Sequence, residues 1–215
     1  MLPVETRLRR YKSAREQAYE QLKRSLLTCE LAPGSAWSES ELMARVGIGR
    51  TPLREAVQQL AQEGLLTVLP RRGILISDIS FAQLQQMFEL RMELEGFCVN
   101  LAAQRITADE VIEARRLLAQ TYVGNLDQHF GLDRRFHGLV YTAARNSFLE
   151  GMLRRLYDWS VRVLYLSKAR QESLDEVRCD HEALLDALAA HDGAAAAEAI
   201  RRHVAKFREQ VRAAL

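Results

Sequence analysis

Two groups of side chains in this sequence have the types and spacing to do chemistry. The first is basic. Arg50, Thr51 and Arg54 crowd around Pro52, and Arg71-Arg72-Gly73 follows between two apolar runs. An arginine fork can donate to guanine O6 and N7 together, so arginines at the leading turn of a helix suit the reading of base edges in a major groove, and Thr51 suits a phosphate contact. The second group is rich in histidine. His137 stands four residues after Asp133, which puts carboxylate and imidazole on one helix face. His181 lies among Val177, Leu184, Leu185 and Leu188, and His203 among Ile200, Val204 and Phe207. Three imidazoles and one carboxylate would suit Zn²⁺, and also Ni²⁺, Fe²⁺ or Mn²⁺, with room for an exogenous ligand if the site is open. A histidine on an apolar face is ordinarily a core residue, however, and Asp-x-x-x-His arises often by chance, so spacing alone leaves both readings open. His129, four residues before Asp133, competes as a ligand, whereas His191 beside Asp192-Gly193 reads as a helix end.

The elements that must position the basic group are legible around it. Ser38 and Glu41 form an S-x-x-E capping box that starts a short helix. Leu42 and Val46 give it an apolar face, and Gly47 ends it by accepting a left-handed turn. A second helix begins near Gly49 to Pro52, where proline costs no hydrogen bond. Leu53, Ala56, Val57, Leu60 and Ala61 then form one stripe. Beyond Gly64, LLTVLP and ILIS flank the Arg71-Arg72-Gly73 turn, which predicts a hairpin wing. The competing reading is an ordinary helical hairpin with solvated arginines; the order of capping box, basic first turn and basic hairpin tip favours DNA binding.

The rest of the chain frames this motif. Residues 1–13 read as a flexible basic arm, and Ala14 to Cys29 as a helix with Ala14, Ala18, Leu22 and Leu26 on one face. Ala36-Trp37 can make a short strand, with Trp37 in the core. At Asp78 the pattern changes to long helices, so residues 1–77 and 78–215 are read as two domains joined by a short connection. Six helical stretches are expected: Phe81–Gln104, Thr107–Tyr122, Leu126–Ala144, Ser147–Gln171, Leu174–His191 and Ala194–Ala214. Their brief separators imply that consecutive helices pack as antiparallel neighbours in a bundle. The fold class is therefore mainly α: a winged helix-turn-helix with a two-stranded wing, then a bundle of six helices, with seven as the alternative.

Composition narrows the function further. With 215 residues and 48% hydrophobic content, each domain can bury a core. The net charge of +2 divides unevenly: residues 1–77 carry 12 Lys/Arg against 8 Asp/Glu, and residues 78–215 carry 18 against 20. The positive excess accompanies the helix-turn-helix and agrees with nucleic-acid binding without establishing it, since the local arrangement of charge decides the field. Cys29, Cys98 and Cys179 are odd in number and widely spaced, which fits reduced thiols in a cytoplasmic protein. Neither a run of about 18 apolar residues nor a signal-peptide pattern is present, so no membrane partner is expected.

The run IGRTPLREAVQQLAQEGLLTVLPRRGILIS resembles the winged helix-turn-helix of GntR-type bacterial transcription regulators, from about Ala14 to Ser77. The resemblance implies that Arg50, Thr51 and Arg54 contact an operator and that Gly73 lies at the wing tip near the minor groove. Some members carry an arginine where this chain has Ser40, so a third base-reading arginine is not implied. FGLDRRFHGLV and RCDHEALLDALAAHDGAAAAEAIRRHVAKF resemble the FCD ligand-binding domain of the FadR branch, with six helices pointing to its VanR-like subgroup. The resemblance implies a divalent metal on Asp133, His137, His181 and His203, a small organic-acid effector whose carboxylate completes the coordination, and Arg91 and Asn146 facing that effector. Against those last two roles, Arg91 can pair with Glu95 at i+4 and Asn146 can cap a helix.

The expectation that follows is a homodimeric transcription regulator, a repressor by analogy with most relatives, that binds a palindromic double-stranded operator under control of a small carboxylate. Two recognition helices must meet two half-sites, hence the dimer. One alternative is a metal-dependent hydrolase using the Asp/His site; no H-E-x-x-H occurs, and Glu182 points about 100° away from His181 around its helix, so no base is evidently poised. The other is a metal-free regulator that holds its effector by arginines.

Overall fold

A computed structural model describes residues 12–121, 126–167 and 174–214, with side chains omitted at 121, 126–130 and 174–176. The chain forms two compact units, one ending at Asp78 and one beginning at Ile79.

In the first unit, α1 (Ala14–Leu27), β1 (Ala36–Trp37), α2 (Glu39–Val46), α3 (Arg50–Gln62), β2 (Leu66–Leu69) and β3 (Gly73–Ile76) follow in order. Ser13, expected in a flexible arm, instead caps α1: its hydroxyl accepts the Glu16 N–H while the Glu16 carboxylate accepts the Ser13 N–H. Lys12 joins the same helix by pairing with Glu20 at 2.5 Å. The remainder of the arm lies outside the described residues. Ala18, Leu22 and Leu26 are buried as α1 packs on α3, while Ala14 at the first turn is exposed. From α3 come Leu53, Ala56, Val57 and Leu60, spaced three, one and three apart, so one stripe closes the core.

The three strands form an antiparallel sheet in the order β1-β3-β2, with Ala36 opposite Leu75 and Leu69 opposite Gly73. The wing is thus completed by a third strand, and Trp37 is half-buried, its indole N–H donating to Ser35 Oγ at 2.9 Å. The reversal runs through Pro70, Arg71 and Arg72, and the Arg72 N–H donates to the Leu69 carbonyl. Gly73 is consequently the first residue of β3 and not the tip, which corrects its expected placement. Its glycine is required by a close approach. At φ +97, a Cβ there would lie 2.6 Å from the Trp37 carbonyl oxygen, so only hydrogen lets β3 sit against β1.

The second unit contains α4 (Phe81–Arg105), α5 (Ala108–Thr121), α6 (Leu126–Ala143), α7 (Ser147–Ser167), α8 (Leu174–Ala189) and α9 (Gly193–Ala214). These are six helices among the described residues, close to the expected bounds; the final expected residues of the fourth stretch lie outside the description. Ser80 and Gln83 cap α4 reciprocally. Along α4 the buried positions Leu84, Met87, Phe88, Arg91, Glu95, Cys98, Val99 and Ala102 recur at three- and four-residue steps, which makes one inward stripe from end to end. The packing order is not simply the chain order. α4 lies chiefly against α9, and α5 against both α6 and α8, although α6 on α7 and α8 on α9 are consecutive pairs.

Candidate functional site

Each unit carries one candidate site, and the two are built on opposite physical terms. The first is exposed. The Ser38–Glu41 capping box starts α2, Gly47 at φ 66 ends it, and two residues later Gly49 begins α3. No side chain caps the amide groups at the start of α3. An uncapped leading turn presents unpaired N–H groups and the positive end of the helix dipole, a surface suited to a phosphate. Arg50, Thr51 and Arg54 stand there in solvent, with the two guanidinium side chains 67% and 60% exposed. Arg71 and Arg72 are exposed on the wing turn, Arg71 in the left-handed region at φ 61. The expected residues are therefore presented on one unit without burial.

Sequence reasoning missed Glu39. It is the first residue of α2, and its Oε1 accepts from Arg54 Nε at 2.7 Å while Oε2 lies 3.9 Å from Arg50 Nε. The carboxylate is contributed from 15 residues earlier in the chain, a separation no helical periodicity connects.

The second site is enclosed, with His137 and His181 buried and Asp133 and His203 half-buried. α6 supplies Asp133 and His137, α8 supplies His181 and α9 supplies His203, and the three imidazoles each offer a nitrogen within 4.8 Å of the others. The ring centroids of His137 and His181 are 5.0 Å apart, and those of His181 and His203 4.6 Å. Asp133 Oδ1 lies 3.6 Å from His181 Nδ1 and Oδ2 3.8 Å from His137 Nε2. Both gaps are too long for hydrogen bonds. Phe136 packs beneath two of the rings, its centroid 5.0 Å from that of His181.

Electrostatics disfavour the protonated forms of His137 and His203. Burial, then the His181 and His203 rings and Arg91, hold His137 well below the usual histidine range. Burial and the His181, Arg91 and Lys206 charges do the same to His203. Neutral imidazoles keep the lone pairs that a metal ion takes up. Tyr157 on α7, also missed, donates to Asp133 Oδ2 at 2.5 Å, and burial followed by the Asp133 charge raises its pKa well above the ordinary phenol value. Asp133 Oδ1 is buried and accepts no hydrogen bond from the described residues. Tyr141 has a buried hydroxyl likewise without a hydrogen-bond partner there, its ring 6.0 Å from His137.

The lesser candidates are placed as follows. Arg91 is 2% exposed, with Nε donating to Glu95 Oε1 at 2.6 Å and Nη1 to Ser160 Oγ at 2.8 Å, so the intrahelical pair forms. Asn146 Oδ1 accepts the Leu149 N–H at 3.2 Å and caps α7. His191 follows α8 at φ 56, its Nδ1 2.6 Å from the Ala103 carbonyl. His129 lies outside the described side chains.

Comparison with known proteins bears on both units. A family model described as bacterial regulatory proteins of the gntR family matches residues 14–76, and one described as the FCD domain matches residues 86–206. The chain is 30% identical over 215 residues to the HTH-type transcriptional repressor RspR of Escherichia coli (strain K12), covering 98% of this chain and 94% of that one. The HTH-type transcriptional repressor GlaR of the same strain is 29% identical over 199 residues, covering 86% and 90%. Among solved structures, E. coli McbR/YncC superposes with a TM-score of 0.77 at 27% identity, over 94% of this chain and 96% of that one. These relatives are transcription regulators and not enzymes, which removes the hydrolase alternative. Read together, the two matches and the full-length relatives establish that this chain belongs to the GntR family of bacterial regulatory proteins and carries an FCD domain behind its helix-turn-helix.

Proposed function

We propose that this DNA-binding transcription regulator works as a homodimeric repressor, and that a small organic acid bound at a divalent metal in the second unit sets its affinity for a palindromic operator. The observation that carries this reading is the convergence of Asp133, His137, His181 and His203, with the Asp133 Oδ1 atom buried and without a hydrogen-bond partner among the described residues. A carboxylate oxygen buried without a hydrogen bond costs stability unless something charged or donating meets it. Beside three imidazoles, a divalent cation is the group that answers all four side chains at once. The residues therefore fit the ion, with Zn²⁺ first among the candidates and Ni²⁺, Fe²⁺ and Mn²⁺ compatible.

When bound, the ion supplies a Lewis-acidic position for a carboxylate. The chain's own groups do the rest. Tyr157 orients Asp133, and the Tyr141 hydroxyl remains to meet an effector. Arg91 is already paired with the Glu95 carboxylate and hydrogen-bonded to the Ser160 hydroxyl, so these contacts hold its guanidinium before any effector arrives. Regulation is then linkage: an effector shifts DNA binding only by its difference in affinity between DNA-competent and incompetent states, typically about 1–3 kcal/mol.

The test is elemental analysis of protein purified without a histidine tag, followed by thermal denaturation with a panel of organic acids, with and without chelator. Near-stoichiometric metal and an acid-induced shift that chelator abolishes support the reading. Metal below a trace per chain rejects it. Acid shifts that survive chelation favour the metal-free alternative.

A further inference from the structure

Of the arginines expected to read bases, Arg54 is exposed yet hydrogen-bonded to a carboxylate, that of Glu39. Glu39 is anchored twice. Its helix start is set by the reciprocal Ser38–Glu41 cap, and the preceding strand is pinned to the wing by the Gly73–Trp37 approach and the Trp37–Ile74 pairing. From that base its Oε1 takes Arg54 through Nε at 2.7 Å, and its Oε2 stands 3.9 Å from Arg50 Nε. The pair lines a groove whose other walls include Leu53, Val57 and Ile74, all buried apolar residues.

A guanidinium has five N–H groups in a rigid plane. A carboxylate that uses Nε leaves the Nη1–Nη2 edge unoccupied, and that edge is a fork able to meet guanine O6 and N7. We propose that Glu39 is a positioning residue for base recognition: it holds Arg54 by Nε so that the outer fork is presented in one orientation. The inference rests on Arg54 reading DNA. It has an electrostatic corollary, because an acidic group close to phosphates weakens sequence-independent binding. Glu39 thus raises discrimination while lowering general affinity.

The experiment selects bound sequences from a library of randomised DNA duplexes with the full wild-type chain and with Glu39→Gln, Glu39→Asp and Arg54→Ala, each checked for an unchanged far-ultraviolet spectrum and melting profile. Affinities for the best wild-type sequence and for a scrambled duplex are then measured by fluorescence anisotropy. Glu39→Gln is expected to lose the preference at the same base pair that Arg54→Ala loses. Its ratio of selected to scrambled affinity should fall on the order of tenfold, toward the lower end of what a bidentate contact confers, while scrambled binding stays equal or tightens. Glu39→Asp keeps the charge but is one methylene too short, so it too should lose the preference. Unchanged base preference in Glu39→Gln, with or without generally tighter binding, overturns the proposal and makes the residue a simple electrostatic brake. Wild-type behaviour of Glu39→Asp overturns it as well, since charge and not reach would then be the active property. Should Arg54→Ala keep every preference, the base-reading role of Arg54 falls and the proposal with it.

Discussion

The exposed basic face of the first unit and the histidine cluster of the second differ in how their side chains are held. On the face, both guanidinium side chains are more than half exposed, and only that of Arg54 is hydrogen-bonded to the Glu39 carboxylate. In the cluster, His137 at 2% and His181 at 1% exposure are enclosed by three helices and by Phe136, Tyr141 and Tyr157. Exposure suits a partner that arrives with its own charge and removes water itself. Enclosure suits a small ion or acid that must be gripped from several sides. Mutating the face should therefore change what the protein binds with little effect on folding, whereas changes in the cluster should alter stability and binding together.

The largest effect that would break this contrast comes from His181→Ala. Metal content should fall to a trace and acid-dependent thermal shifts should vanish with it, read by elemental analysis and calorimetry, because an enclosed site cannot replace a lost ligand. Retained effector affinity after loss of the metal would mean that the cluster is only structural. Next comes acid. The folded-state pKa values of His137 and His203 lie below those of the unfolded chain, so the unfolded chain binds more protons as pH drops below about 6.5. Stability of chelated protein should thus be constant above that pH and decline below it, by up to about 1.4 kcal/mol per pH unit for each ring. Bound metal should delay the decline by competing with protons. Denaturant titrations across that range check the sign.

Arg54→Ala tests the other side of the contrast. Operator affinity should weaken by about 1–3 kcal/mol with an unchanged melting temperature, measured by anisotropy and calorimetry. A matching loss of stability would show that the guanidinium is structural after all. The smallest effect is expected from Asn146→Ala. Loss of the cap on α7 should cost about 1 kcal/mol of stability and leave acid binding untouched; weakened acid binding would restore Asn146 as an effector contact.

The same contrast explains what could be read in advance. Ser38, Glu41, Gly47 and Gly49 specify helix boundaries through neighbours no more than a few residues away, and the apolar stripes of α3 and α4 repeat within single helices. Such features are legible because their causes are local. Asp133 and His137 were legible as a pair for the same reason. Glu39 holding Arg54 and Tyr157 bonding Asp133 from 24 residues away depended on more than the visible pattern, whereas the Ser13–Glu16 cap has the same local S-x-x-E spacing as Ser38–Glu41 and was overlooked beneath the basic character of the arm. Gly73 was read as a turn glycine, yet its need arises from the Trp37 carbonyl on another strand.

By itself, then, the order of residues determined the helices and their caps, the basic leading turn of α3, and the candidate ligand types, since backbone hydrogen bonding and side-chain periodicity act over one or two turns. Which carboxylate steadies which arginine, and which three helices converge their imidazoles around Asp133, were decided only by tertiary packing. Those pairings join distant points of the chain, and burial of the intervening apolar faces selects them.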